Sequence, residues 1–76
     1  MNEQKIKSIM STILKISEDE IHAESSPDNI KTWDSLQHMN LILGLEQSFG
    51  ITFGDDEIIQ LLSYEIILAI INEKVQ

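Results

Sequence analysis

The sequence has no cysteine and no arginine among its 76 residues. Without cysteine the chain has no disulfide framework, no cysteine-ligated zinc site and no thiol nucleophile of its own. With only five lysines against thirteen acidic residues, its formal net charge is −8. Nucleic-acid phosphates attract surfaces of the opposite sign, so this charge argues against a nucleic-acid partner and favours protein partners with basic surfaces.

Long apolar runs are also missing from the sequence. The longest extends from Ile66 to Ile71, well short of the roughly 20 residues that a membrane-spanning helix needs. Charged residues such as Glu3, Lys5 and Lys7 interrupt the N-terminal apolar residues where a signal peptide would have its core. We therefore expect no membrane insertion and a cytoplasmic location, which also fits the missing cysteine.

The length predicts one small domain, comprising residues 1–76, with a thin hydrophobic core. Such a core leaves little room for an internal active site with several buried polar groups. A monomer is the default expectation.

Helical spacing of apolar residues predicts two long helices in the first two thirds of the chain. In the first helix, which we expect to end near Ile16, the apolar positions are Ile6, Ile9, Met10, Ile13 and Leu14. The second is predicted from about Ser35 to Phe49. Asp34 is its expected N-cap, with Gln37 completing a capping box, and Gly50 follows its C-terminus.

The remaining residues predict one short and one long helix. Acidic residues from Asp55 to Glu57 favour a helix start, and Ser63 leaves room for only about two turns before it caps the next helix. The last helix is predicted from Glu65 to Val75. The intervening segment from Ser17 to Asp34 lacks periodicity and is expected to be a long loop, anchored by Ile21 and Ile30. The fold class is therefore all-α, a small four-helix bundle with a long first loop.

Ser35 is the candidate functional residue, because it begins a helix. A helix N-terminus offers unpaired backbone N–H groups and a positive dipole end, which suit a phosphate ester. An ordinary helix-start serine is the first alternative. A second is a serine nucleophile assisted by Asp34 and His38, but the sequence has no G-x-S-x-G elbow and Asp34 is better placed as a cap.

Four other features have simpler interpretations. His38 is predicted to lie on an exposed polar face and His22 to be solvated in the loop. Trp33 could contact a partner, but it is predicted to pack the loop end onto the bundle, because a large ring gains most from partial burial. The acidic cluster from Gly54 to Glu57 lacks the alternating ligands of a calcium-binding loop, so no metal site is expected.

The pattern resembles the acyl carrier protein family over nearly the whole chain. The resemblance depends on Asp34-Ser35-Leu36 at mid-chain, followed by a helix that ends in Leu45-Glu46-Gln47-Ser48-Phe49-Gly50-Ile51. It implies an acyl-carrier-like four-helix bundle in which Ser35 carries 4′-phosphopantetheine, transferred from coenzyme A by a phosphopantetheinyl transferase. Acyl groups would be held as thioesters on the arm's thiol and delivered to acyl-loading and acyl-transferring enzymes, while the carrier itself performs no catalysis.

The resemblance also implies roles for residues around Ser35. The residues expected to be recognised by the transferase and by partner enzymes are Asp34, Leu36, Met39, Glu46, Asp56 and Glu57. Those expected to line a pocket for the acyl chain are Met39, Leu43, Leu45, Ile58 and Leu61. Two alternatives stay open: an aminoacyl or peptidyl carrier of the same fold, and an unmodified acidic interaction module.

One feature departs from the family pattern. Fatty-acid carriers usually place several acidic residues along the helix after the serine, whereas here Glu46 is the only one. The resemblance implies a fatty-acid-related or a specialised biosynthetic pathway. Because charge complementarity influences partner choice, the nearly neutral helix favours a dedicated set of partners in a specialised pathway.

Overall fold

A computed structural model describes residues 2–75 of the protein. These residues fold into helices joined by loops. The helices are α1 (Asn2–Leu14), α2 (Ser35–Phe49), α3 (Asp55–Gln60) and α4 (Tyr64–Lys74), with a single 3₁₀ turn at Glu18–Glu20. No strand occurs within residues 2–75. The predicted all-α fold with three longer helices and one short helix is confirmed. No helix within residues 2–75 is long and apolar enough to cross a membrane.

Helix α1 packs antiparallel against α2 and also contacts α4. The Lys5 ammonium, near the start of α1, donates a hydrogen bond to the Ser48 carbonyl near the end of α2, at 2.8 Å. Further along the pair, towards the end of α1, a Cβ on Gly44 would lie 3.0 Å from Cδ1 of Ile13. Glycine therefore lets the two helices approach closely at this point.

The core is formed by the apolar stripes that the helical spacing predicts. Its most completely buried side chains are Ile6, Met10, Leu14, Ile21, Leu41, Ile42, Leu45, Leu61, Ile67 and Ile71. Burying these stripes against one another provides most of the stability of helices this short.

Both long N-terminal helices end in a residue with left-handed backbone. After α2 this residue is Gly50, with φ of 65°, as predicted; after α1 it is Lys15, with φ of 58°. In each case the following residue donates its N–H back into the helix, from Ile51 to Glu46 and from Ile16 to Ser11. The expected end of α1 near Ile16 was two residues too late, because a lysine occupies the position where glycine usually signals the stop.

Replacing Lys15 with glycine is therefore expected to stabilise the protein by roughly 0.5–1 kcal/mol, since glycine adopts positive φ without the clash that a Cβ creates. Urea denaturation measures this change in the free energy of unfolding. Gly50→Ala is the converse control and should destabilise the protein. A loss of stability in Lys15→Gly would contradict the interpretation.

The long first loop is fixed to the bundle at several points. Ile21, Ile30 and Trp33 are buried, which confirms the two predicted anchors and the packing of Trp33. The loop also binds the start of α4, because the N–H of Tyr64 donates to the carbonyl of Ser25 (3.0 Å) and that of Glu65 to the carbonyl of Ala23 (3.2 Å). His22 is exposed, as expected. The loop ends at Trp33 and Asp34, directly before α2.

Candidate functional site

Ser35 is the first residue of α2, and its side chain is exposed. Asp34 precedes it as the N-cap, its carboxylate accepting the N–H of Gln37 at 2.9 Å. The first N–H groups of an α-helix have no acceptor within the helix. The Ser35 hydroxyl therefore lies at the solvent-facing positive end of the helix dipole.

The predicted capping box at this helix start is only half formed. Gln37 does not return a hydrogen bond to Asp34, because its side-chain oxygen accepts from the Asn40 amide at 2.8 Å. The N–H of Asp34 donates instead to the carbonyl of Thr32, 3.1 Å away. The turn before the helix thus supplies the acceptor that the capping box would have supplied.

His38 joins three parts of the molecule beside Ser35. Its Nδ1 accepts the indole N–H of Trp33 at 3.0 Å, and its Nε2 lies 2.9 Å from the carbonyl oxygen of Ile58 in α3. Since Nδ1 accepts, Nε2 must carry the proton and donate it to Ile58. The prediction of an exposed polar-face histidine was wrong, because the side chain is half-buried between the loop, α2 and α3.

Sequence reasoning missed this role of His38. The carbonyls in the last turn of a helix lack partners within the helix, and imidazole N–H groups are among the donors that satisfy them. A six-residue helix such as α3 is too short to be stable alone. The only signal in the sequence was therefore indirect, namely that so short a helix requires a partner elsewhere in the chain.

A cavity of about 440 Å³ opens beside Ser35. Its lining comes from the loop, from the first turns of α2 and from the segment after α3, and consists of Pro27, Trp33, Asp34, Ser35, His38, Met39 and Leu62. Trp33 and His38 are held by their mutual hydrogen bond, so this wall of the cavity is fixed. An arm attached to Ser35 would begin at the mouth of the cavity.

The five residues predicted to line an acyl pocket fall into two groups. Leu45 and Leu61 are fully buried in the core, with Ile58 partly buried beside it. Met39 and Leu43 are about half exposed on α2, at 46% and 51%. Of the five, only Met39 lines the cavity beside Ser35.

The predicted recognition residues also differ in their surroundings. Leu36, next to Ser35, is 71% exposed, and Asp56 is exposed at the start of α3. Glu46, in contrast, is half-buried and accepts the N–H of Phe53 at 2.8 Å. It therefore joins the end of α2 to the segment leading into α3.

Glu57 is engaged within the protein by two partners. Its carboxylate accepts the N–H of Gly54 at 2.8 Å and pairs with the Lys74 ammonium at 2.9 Å. The hydrogen bond from Gly54, followed by that from Lys74, holds the pKa of Glu57 below its usual value. These contacts connect the start of α3 to the end of α4.

Glu57→Gln is expected to destabilise the protein at pH 7 more than at low pH. Because the folded-state pKa is lowered, the stabilisation is present above the unfolded value of 4.5 and is lost as the pH falls through the folded value. Urea denaturation between pH 7 and pH 3 tests this dependence. Asp56→Asn, which removes a neighbouring exposed charge, is the control; an equal difference between Glu57→Gln and wild type at every pH would contradict the expectation.

Comparison with known proteins identifies the family. The family model described as "Phosphopantetheine attachment site" matches residues 4–67, a segment that includes the Asp34-Ser35-Leu36 triplet. The chain belongs to the acyl carrier protein family. An acyl carrier protein of Coprothermobacter proteolyticus is 34% identical over 68 residues, covering 90% of this chain and 83% of the relative.

Two further relatives are also acyl carrier proteins. The protein of Petrotoga mobilis is 30% identical, covering 93% of this chain and 84% of the relative. That of Thermosynechococcus vestitus is 32% identical, covering 95% and 89%. The predicted family and its cofactor, 4′-phosphopantetheine, are confirmed. As a member of this family, the carrier works with a phosphopantetheinyl transferase and with acyl-handling enzymes.

Proposed function

We propose that Ser35 is the residue to which 4′-phosphopantetheine is attached. The observation that carries this proposal is the exposed Ser35 hydroxyl at the N-terminus of α2, beside a cavity and within the matched segment. Unpaired N–H groups of the first helical turn suit the phosphate, and the partly apolar cavity wall suits the chain that follows it. When bound, the group supplies a thiol on which acyl groups are carried as thioesters.

The carrier has no catalytic activity of its own in this proposal. A serine nucleophile at Ser35 would need a base, and His38 is the nearest candidate in sequence. Both ring nitrogens of His38 are already engaged, by Trp33 and by the Ile58 carbonyl. Asp34 is engaged as the cap of α2. The protein's contribution is then to position the acyl group and to be recognised.

The partners in this proposal are acyl-loading and acyl-transferring enzymes with basic surfaces, attracted by a net charge of −8. Residues 1–76 would act as one carrier domain, as a monomer in the cytoplasm. The nearly neutral α2 supports a specialised pathway with dedicated partners. If general fatty-acid synthesis enzymes elongate acyl groups on this protein as efficiently as on a housekeeping carrier, the proposal of a specialised pathway is wrong.

Mass spectrometry of the apo-protein after incubation with coenzyme A and a phosphopantetheinyl transferase tests the attachment site. We expect a gain of one phosphopantetheine in the wild type and none in Ser35→Ala. Ser48→Ala is the matched control, since Ser48 is another exposed serine of α2, and it should be modified normally. Unchanged modification of Ser35→Ala, or no gain in the wild type with several transferases, would refute the proposal.

A further inference from the structure

The contacts of His38 depend on where its ring carries protons. Its Nδ1 accepts the indole N–H of Trp33 at 3.0 Å, and its Nε2 donates to the carbonyl of Ile58 at 2.9 Å. The indole N–H can only donate and the carbonyl can only accept, so both contacts require the neutral ring with its proton on Nε2. We refer to Trp33, His38 and the Ile58 carbonyl as the His38 bridge.

Helix α3 depends on the His38 bridge for one of its last carbonyls. If the helix continued, the N–H of Leu62 would bond to the Ile58 carbonyl, but it donates to the Gln60 carbonyl at 2.8 Å. His38 therefore supplies the donor that the end of α3 lacks. The start of α3 is held separately, by its ion pair with α4. Opening the bridge would loosen the end of α3 and leave its start attached.

Protonation of His38 is incompatible with the bridge. It would place a hydrogen on Nδ1, opposite the indole N–H, and two donors that face each other both lose their acceptor. The edge of an aromatic ring is also its positive side, so the indole repels a cation there. Rotating the ring does not help, because both nitrogens of an imidazolium are donors. The charged ring must therefore leave its half-buried position, and its contacts with Trp33 and Ile58 are lost together.

Three elements pack around the His38 ring, namely the loop end (residues 26–34), α2 and α3. Their charged side chains are Asp28, Lys31, Asp34, Glu46, Asp55, Asp56 and Glu57. Only Asp34 lines the cavity with His38, and its carboxylate is engaged in capping α2. No ion pair within residues 2–75 involves His38. Carboxyl groups ordinarily titrate near pH 4 and lysines above pH 10, so His38 is the group here whose charge changes between pH 5.5 and 7.5.

We propose that the His38 bridge is a pH-sensitive device beside Ser35: neutral His38 holds the loop end and α3 together, and its protonation releases both. The bridged form excludes the proton that the opened form takes up, so acid favours opening. Acidification then loosens two walls of the cavity next to Ser35, Trp33 on the loop and Leu62 after α3. His38 is thus a positioning residue for this cavity. The inference does not depend on what is attached to Ser35.

Hydrogen exchange followed by ¹⁵N NMR measures the opening of the bridge. Trp33 is the only tryptophan, so its indole N–H gives a single signal. The Leu61 amide, bonded to the Glu57 carbonyl at 3.0 Å, reports on the end of α3. A free imidazole titrates near pH 6.5, so protonation of the opened form multiplies its population by about 1.1 at pH 7.5 and about 11 at pH 5.5. After correction for the intrinsic effect of pH on exchange, the protection of both groups should fall about tenfold.

His38→Gln is the decisive variant, because glutamine offers an amide donor and a carbonyl acceptor but does not titrate. Its protection should be nearly equal at the two pH values. His22→Gln is the matched control, since His22 is the other histidine of the sequence and is exposed in the loop. This variant should keep the tenfold change of the wild type. Ring ¹⁵N shifts of His38 in the wild type give a second measurement that needs no variant.

Four results would overturn the inference. The first is unchanged protection of the Trp33 indole N–H in the wild type between pH 7.5 and 5.5. The second is a tenfold change that persists in His38→Gln or disappears in His22→Gln. The third is a proton on both ring nitrogens of His38 while the indole N–H stays protected, which the wild type alone can show even if His38→Gln does not fold. The fourth is a fall confined to the indole, with the Leu61 amide unchanged, which would refute the release of α3.

Discussion

Replacing Trp33 with alanine is expected to lower the free energy of unfolding by about 3–5 kcal/mol, the range for truncating a large buried aromatic side chain. Trp33 is only 2% exposed and packs the end of the long loop onto the bundle. Total stabilities of about 5–15 kcal/mol are usual for small domains, so this loss is a large fraction of the whole. Urea denaturation followed by circular dichroism measures it. Loading of Ser35 should slow as well, because the Asp34 cap follows Trp33 directly.

Trp33→Phe separates the hydrogen bond from the packing and keeps the test decisive if the alanine variant does not fold. Phenylalanine retains most of the apolar contact but leaves Nδ1 of His38 without its donor, which should cost about 1–3 kcal/mol. In a His38→Phe background the same substitution should cost at least 0.5 kcal/mol less, because the acceptor is already absent. Side-chain ¹⁵N shifts of His38 should report a proton on Nε2 in the wild type. Purely additive costs, or a proton on Nδ1, would contradict the arrangement.

Leu45→Ala is expected to cost about 2–5 kcal/mol, whereas Leu43→Ala should change stability by roughly 0.5 kcal/mol or less. The two leucines are two residues apart on α2, but Leu45 is fully buried and Leu43 is half exposed. Urea denaturation of the pair gives a direct comparison with the chemical change held constant. Similar costs for both variants would contradict the burial of Leu45.

Leu45→Ala also tests the predicted acyl pocket. If a bound chain enters the core near Leu45, the space left by Leu45→Ala should accommodate it, because an apolar cavity favours an apolar ligand. Acylation should then stabilise Leu45→Ala more than it stabilises the wild type. Equal stabilisation of both proteins would remove Leu45 from the pocket and leave Met39, Leu43, Ile58 and Leu61 as the candidates.

Much of the helical framework could be predicted from the sequence, because local signals mark it. The side chains of Asp34 and Ser63 cap the starts of α2 and α4, and Gly50 ends α2 with a positive φ. Each of these residues lies directly beside the helix end that it signals. The end of α1 was misplaced for the same reason, since Lys15 adopts this backbone without the usual residue. Local reasoning works where the cause and the effect are close along the chain.

The site was less predictable, because its contacts are long-range. The bond of His38 to the Ile58 carbonyl joins residues 20 apart, and that of Glu46 to Phe53 depends on how the chain turns after α2. The spacing of apolar residues placed His38 on the polar face of α2. A residue that bridges α2 and another element also lies on that face, so the spacing alone could not separate the two roles. Burial of the five predicted pocket residues likewise depended on which helices pack together, and not on their shared apolar character.

The loop between the 3₁₀ turn and α2 has a consequence for protein engineering. Its carbonyls at Ala23 and Ser25 accept hydrogen bonds from the first turn of α4, some forty residues further along the chain. Tolerance to inserted sequence depends on whether the affected backbone is bonded, not on the length of the connection. An affinity tag, a protease site or new chain termini placed between His22 and Ser26 should therefore disturb α4, although this loop is the longest non-helical stretch in the molecule.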